Sequence, residues 1–178
     1  MSSTLFVLRD SRGDCGGNAM FWPTGGGYTT DLNKAAHYTK EQAERQHKTR
    51  PTDIPLPLEA LQKLTRITVD HQYLPDEHNN HSPDAEYVIQ HCRMWDGNDI
   101  YFQNDTSASN GDDVKTTNLT NATRYSKTEA IKRAATFNNA QIWPLQDLVA
   151  IGRQSVSAKR IDTAAMAALS GITILEAE

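Results

Sequence analysis

The 178-residue sequence predicts an α+β fold in which one small β-β-α-β module occurs twice, followed by a C-terminal helix and strand. Three observations lead there. YTTDLNKAAHYTKEQAERQ, from Tyr28, faces KTTNLTNATRYSKTEAIKR, from Lys115, without a gap, and the same offset carries LPLEAL from Leu56 onto WPLQDL from Trp143. Short apolar runs sit on either side of glycine-containing turns, as in hairpins. Each matched segment also holds a Thr or Ser followed three residues later by Gln or Glu, the spacing of a capping box.

The elements follow in chain order. FVLRD and AMFWP read as a hairpin, and PTGGGY as a loop whose glycines supply positive φ. DLNKA reads as one helical turn capped by Asp31. A helix then starts at Thr39, with Tyr38 before the cap and Ala43 one turn in as a hydrophobic staple. DIPLPL closes the module as a strand, and LEALQKL adds a helical turn. Leu74 to Glu86 is polar, proline-containing and unpatterned, and reads as a linker. The second module repeats the series. YVIQHCRMW and DIYFQN form the hairpin, QNDTSASNGDDVK a longer polar loop, and NLTNA a turn capped by Asn118. The helix starts at Ser126 with Tyr125 and Ala130 as staple, and AQIWPL and LQDLVAI follow. Ala158 to Leu169 reads as an Ala-rich helix stopped at Gly171, and ITIL as a strand. The expected divisions are 1–73 for the first repeat, 74–86 for the linker, 87–154 for the second repeat and 155–178 for the C-terminal helix and strand.

The formal net charge of −4 argues against a general nucleic-acid footprint, which needs basic patches. No signal peptide opens the chain and no apolar stretch approaches a membrane span. Two cysteines, Cys15 and Cys92, are too few for a disulfide framework and suit a reducing, cytoplasmic compartment.

Candidate chemistry is sparse. Cys15, in RGDCGGNAMFW, sits in a glycine-rich hairpin loop with no helix start to activate a thiol, so an incidental thiol is the better reading than a hydrolase nucleophile. His78 and His81, with Asp76, Glu77 and Asp84, have metal-ligand chemistry but lie in the linker, where ordering entropy opposes binding. PTGGGY lacks the lysine of a phosphate loop, and SNGDDVK lacks the spacing of a calcium loop. Trp22, Tyr38, Trp95 and Tyr125 could stack nucleobases, although the paired tyrosines serve as staples. No catalytic residue, metal or cofactor is expected.

The string A-x-x-Y-[S/T]-x-x-E-A followed by a PL strand resembles small domains of bacteriophages and mobile elements. Thr30, Leu32, Ala35, Tyr38, Thr39 and Ala43 carry it in the first repeat, and Thr117, Leu119, Ala122, Tyr125, Ser126 and Ala130 in the second. The first repeat departs from the pattern with Gln42 in place of Glu. The resemblance covers most of the chain outside the linker and tail, and implies a fold rather than an activity. It also implies a setting inside a bacterial host cell, where small acidic proteins of this kind inhibit host defence, anti-CRISPR proteins among them.

The expected function is therefore non-enzymatic. It is a protein-binding factor that inhibits a host defence complex, such as a CRISPR effector, by direct contact. The variable loops would make that contact: Arg12 and Asp14 in RDSRGDCGGN, and Asp105, Asp112 and Asp113 in NDTSASNGDD. The C-terminal tail offers a surface for pairing with a second copy. A nucleic-acid-binding accessory protein is the alternative, and a cysteine or metal hydrolase the third reading.

Overall fold

The structure is a computed structural model and describes residues 4–77, 81–107 and 114–175. Those residues form an α+β fold with nine strands and five α-helices. In chain order, β1 (Phe6–Cys15), β2 (Asn18–Phe21), α1 (Lys40–Thr49), β3 (Asp53–Pro57) and α2 (Leu58–Gln62) come first. β4 (Thr65–Thr68) precedes β5 (Tyr87–Asp96), β6 (Asp99–Asn104), β7 (Val114–Thr116), α3 (Lys127–Ala134), β8 (Ala140–Pro144) and α4 (Leu145–Ile151). β9 (Arg153–Val156) and α5 (Thr163–Ser170) complete the chain order.

These elements belong to two compact units. Unit 1 is Met1–Arg66 together with Gln154–Glu178, and unit 2 is Ile67–Arg153. The sheet of unit 1 has the order β2-β1-β3, and that of unit 2 the order β7-β6-β5-β8, with every pairing antiparallel. Pro55 and Pro57 are tolerated because β3 is an edge strand, where a missing N–H costs no ladder bond.

The local chemistry read from the sequence is present in both units. Thr39 Oγ1 accepts from the Gln42 N–H at 3.3 Å while Gln42 Oε1 accepts from the Thr39 N–H at 2.9 Å. Ser126 and Glu129 make the same reciprocal pair at 3.3 and 2.9 Å. Ala43 and Ala130 are fully buried, with Tyr38 and Tyr125 packed beside them. Each tyrosine also bonds the first strand of its unit. The Phe6 N–H donates to the Tyr38 carbonyl at 2.9 Å, and the Tyr87 N–H to the Tyr125 carbonyl at 2.8 Å. The expected single turns are 3-10 helices, Leu32–Lys34 capped by Asp31 and Leu119–Asn121 capped by Asn118. Phe6, Phe21, Leu56 and Leu61 anchor the core of unit 1, and Ile89, Ile100, Phe102 and Leu148 that of unit 2. Each such side chain contributes about 1.5–3 kcal/mol of transfer free energy.

Two features differ from the sequence reading. The chain passes between units at Arg66/Ile67 and Arg153/Gln154, not within Leu74–Glu86. The reason lies in two buried valines. Val69, after β4, is fully buried in the core of unit 2, and Val156, at the end of β9, is fully buried in the core of unit 1. The end of the stretch assigned to the first repeat thus belongs to unit 2, and the segment that follows the second repeat completes unit 1. The second difference is at the tail. α5 forms, but Ile172 to Leu175 is not a strand. The Ile172 N–H goes to Ser170 Oγ at 3.1 Å and the Leu175 N–H to His47 Nε2 at 2.8 Å, which uses the backbone donors a ladder would need.

No helix among the described residues is long and apolar enough to cross a membrane.

Candidate functional site in the bulged hairpin arms

Both hairpins carry the same irregularity. Asp10 pairs with Met20 and Asp14 with Ala19, so Ser11, Arg12 and Gly13 bulge out of β1. His91 pairs with Tyr101 and Trp95 with Ile100, so Cys92, Arg93 and Met94 bulge out of β5. An arginine is the middle residue of each bulge. Bulges re-aim side chains, and recur next to functional sites.

In unit 1 the arginine is clamped. The Asp10 carboxylate is 1% exposed and accepts from Arg12 Nε at 2.9 Å, Arg12 Nη2 at 2.7 Å and the Arg12 backbone N–H at 3.1 Å. The guanidinium hydrogen bond holds the Asp10 carboxyl below the usual carboxylate range against the opposing effect of burial. Arg12 Nη2 also reaches Tyr28 Oη at 3.2 Å, and Asp14 pairs with Arg9 at 3.0 Å. Arg12 and Asp14, expected in a free loop, are therefore parts of a strand whose charges are used internally. Cys15 ends β1 opposite Asn18. Gly25, Gly26 and Gly27 have φ of 100°, 96° and 79°, as the glycine loop requires.

In unit 2 the residue before the bulge is His91, not an aspartate. Its Nε2 lies 2.7 Å from Gln103 Oε1, and Gln103 Nε2 donates to Asp105 Oδ1 at 2.7 Å. Asp105 also accepts from Arg133 Nη2 at 2.9 Å and from the Tyr125 hydroxyl. Burial pushes the Asp105 carboxyl up, but the bonds from Tyr125, Arg133 and Gln103 outweigh it and leave the carboxyl low. Burial first, and Asp105 second, push the Tyr125 hydroxyl up to about 12. Asp105 is thus the hub of a network inside unit 2. Asp112 and Asp113 lie outside the described residues, as does His78. His81 Nε2 is 2.7 Å from Asp147 Oδ1. Among the described residues no group of three or more His, Cys, Asp or Glu is placed to hold a metal ion.

Arg93 has φ +61°, the one non-glycine residue with positive φ among the described residues. An arginine in that region is uncommon, and such outliers concentrate where surroundings enforce them. Arg93 makes no ion pair among the described residues. The bulge meets β7, where Lys115 Nζ approaches Met94 Sδ at 3.7 Å. Arg93, Met94, Lys115, Phe137, Asn138 and Asn139, with His91 and Cys92, line a groove of about 350 Å³. Phe137 is fixed from two sides, by the edge of His91 at 4.9 Å and by the Arg133 guanidinium at 4.8 Å. Burial pushes the Cys92 thiol up despite Arg93, which keeps it protonated and poorly nucleophilic. Beside the groove, Trp95 is 52% exposed and stacks on His71 with ring centroids 5.0 Å apart, and Met94 is 39% exposed.

Sequence reasoning passed over Arg93, Lys115 and the groove. The usable signal was the alignment of FVLRD with YVIQH, which sets His91 where Asp10 stands.

The chain matches no protein-family model, no curated protein and no solved structure.

Proposed function

We propose that this chain is a non-enzymatic protein-binding factor that inhibits a host defence complex by direct contact. The observation that carries the binding reading is the β5–β6 arm of unit 2. It holds Trp95 half exposed and fixed in place by His71, beside exposed Met94. A rigid exposed tryptophan flanked by methionine is the composition of an interface anchor. The defence-complex partner, a CRISPR effector or a similar assembly of a bacterial host, is supported by the motif resemblance alone. The recurrence of the capping boxes, staples and bulges supports reading the two units as copies of one module.

A second reading, nucleic-acid binding, is favoured by one feature: half-exposed Trp95 stands two residues from Arg93, which makes no ion pair among the described residues.

The test is co-purification of the tagged chain with candidate CRISPR effector complexes, with interference measured in cells. Trp95→Ala should weaken capture at least tenfold, as for an anchor residue. Asp112→Lys with Asp113→Lys should weaken it further at low salt. Undiminished interference in the presence of the wild-type chain would sink the inhibitor reading. Capture that survives Trp95→Ala would remove the arm from it.

A further inference from the structure

We infer that the groove beneath the bulge of unit 2 is a binding site for a small phosphate monoester, a use that does not depend on the partner reading above. Four observations converge. The groove presents two cations, Arg93 and Lys115, and no carboxylate among its described lining residues, on a chain whose net charge is −4. Two positive groups match a phosphate monoester, which carries about −1.5 to −2 charge at neutral pH. Arg93 offers the planar fork that suits phosphate oxygens, and Lys115 a point charge. Asn138 and Asn139 add neutral amide residues to the lining.

The second observation is the exchange at the bulge. Unit 1 has the same bulge and the same arginine, but there Asp10 captures it. In unit 2 His91 takes that place and turns its Nε2 to Gln103, so the carboxylate clamp is missing and Arg93 is left for another anion. The third is the backbone. Arg93 is held at φ +61°, a strained position whose cost is easier to understand if the side chain is needed where the bulge puts it. The fourth is shape. At about 350 Å³ the groove lies at the lower end of ligand pockets, room for a phosphate and a small organic body, with the Phe137 ring as an apolar wall.

The test is calorimetric titration of the full chain with adenosine monophosphate, adenosine, inorganic phosphate and an unphosphorylated oligothymidylate. Adenosine monophosphate and phosphate should bind, and adenosine should not. Arg93→Gly, which removes the cation and suits the positive φ, and Lys115→Gln should each weaken adenosine monophosphate about tenfold, the loss of one charged hydrogen bond. His91→Asp, which restores the clamp seen in unit 1, should weaken it with both cations still present. Thermal melts of Arg93→Gly and Lys115→Gln identify any loss due to misfolding. Equal binding of adenosine and its monophosphate, or unchanged affinity in both cation variants, overturns the assignment. So does an oligothymidylate that binds as tightly as the monophosphate and loses as much in the variants, which would point to a phosphodiester strand.

Discussion

In unit 1 the guanidinium of the bulge is locked to a buried carboxylate, whereas in unit 2 the residue at the carboxylate's place is His91, whose Nε2 meets Gln103. The contrast extends to a second arginine. Arg66 Nη2 in unit 1 donates to neutral Asn18 at 2.8 Å. Arg153 in unit 2 donates to Asp70 at 3.0 Å and to Asp99, both nearly fully buried. Asn18 and Asp99 each open the second strand of their hairpin. Strands, bulge and caps recur while the charges on them are redistributed. Unit 1 spends Asp10 and Asp14 on its own hairpin. Unit 2 buries Asp70 and Asp99 against Arg153 and pairs the part-exposed Asp105 with Arg133, away from its bulge. A backbone frame set by apolar burial and local hydrogen bonds tolerates such exchanges, because each charge cluster needs only its own partners.

The sharpest way to break this comparison is to delete the two matched arginines. Arg153→Ala removes the guanidinium from two buried carboxylates and should cost about 3–5 kcal/mol. Arg66→Ala removes a bond to a neutral amide and should cost about 1.5 kcal/mol. Equal shifts in denaturant midpoint would mean that the buried acids of unit 2 are neutral or solvated.

The next effect depends on pH. An unfolded tyrosine titrates near 10, and the Tyr125 hydroxyl is raised to about 12. The folded state holds that proton more tightly, so the contribution is complete below about pH 10 and is lost as pH rises toward 12. Tyr125→Phe should remove the latest step of the phenolate absorbance titration and flatten the alkaline fall in stability. A titration identical to that of the wild type would break the link between Tyr125 and Asp105.

Smaller still are the caps. Thr39→Ala and Ser126→Ala should each cost about 1 kcal/mol, and the two losses should add because the boxes belong to separate units. A null result in one unit, read from urea melts, would show that the shared frame is not shared energetically. The smallest effect belongs to Trp95→Ala. It should leave stability within about 0.5 kcal/mol while changing partner capture, as suits an exposed side chain.

The caps, staples, glycine loop and closing strands were legible because each is written within a few residues. Thr39 and Gln42 find each other across three residues, and Gly25 to Gly27 need no distant partner. The contacts that decide where charge is free run between distant positions. Asp105 looked like a loop acid because Tyr125 and Arg133, which bind it, stand far along the chain. Ile172 to Leu175 looked like a strand because Ile172, Thr173 and Ile174 are all β-branched, and the competing acceptor, His47, is remote in sequence. The exchange of Val69 and Val156 between units was hidden for the same reason. Either valine would fit either core by composition, and only the path of the chain assigns them.

That path has a consequence for synthesis. Unit 2 is one continuous stretch, complete once Arg153 has emerged. Unit 1 is interrupted: its sheet is made before unit 2, but Val156, Met166 and Ile172, which fill its core, are made after it. At about 5–20 residues per second, the intervening stretch keeps the β1–β3 sheet without that filling for on the order of ten seconds. Unit 1, begun before unit 2, is therefore completed after it. A chain truncated just after Arg153 would present a finished unit 2 and an apolar face of Val7, Phe21 and Leu56 still waiting for its cover.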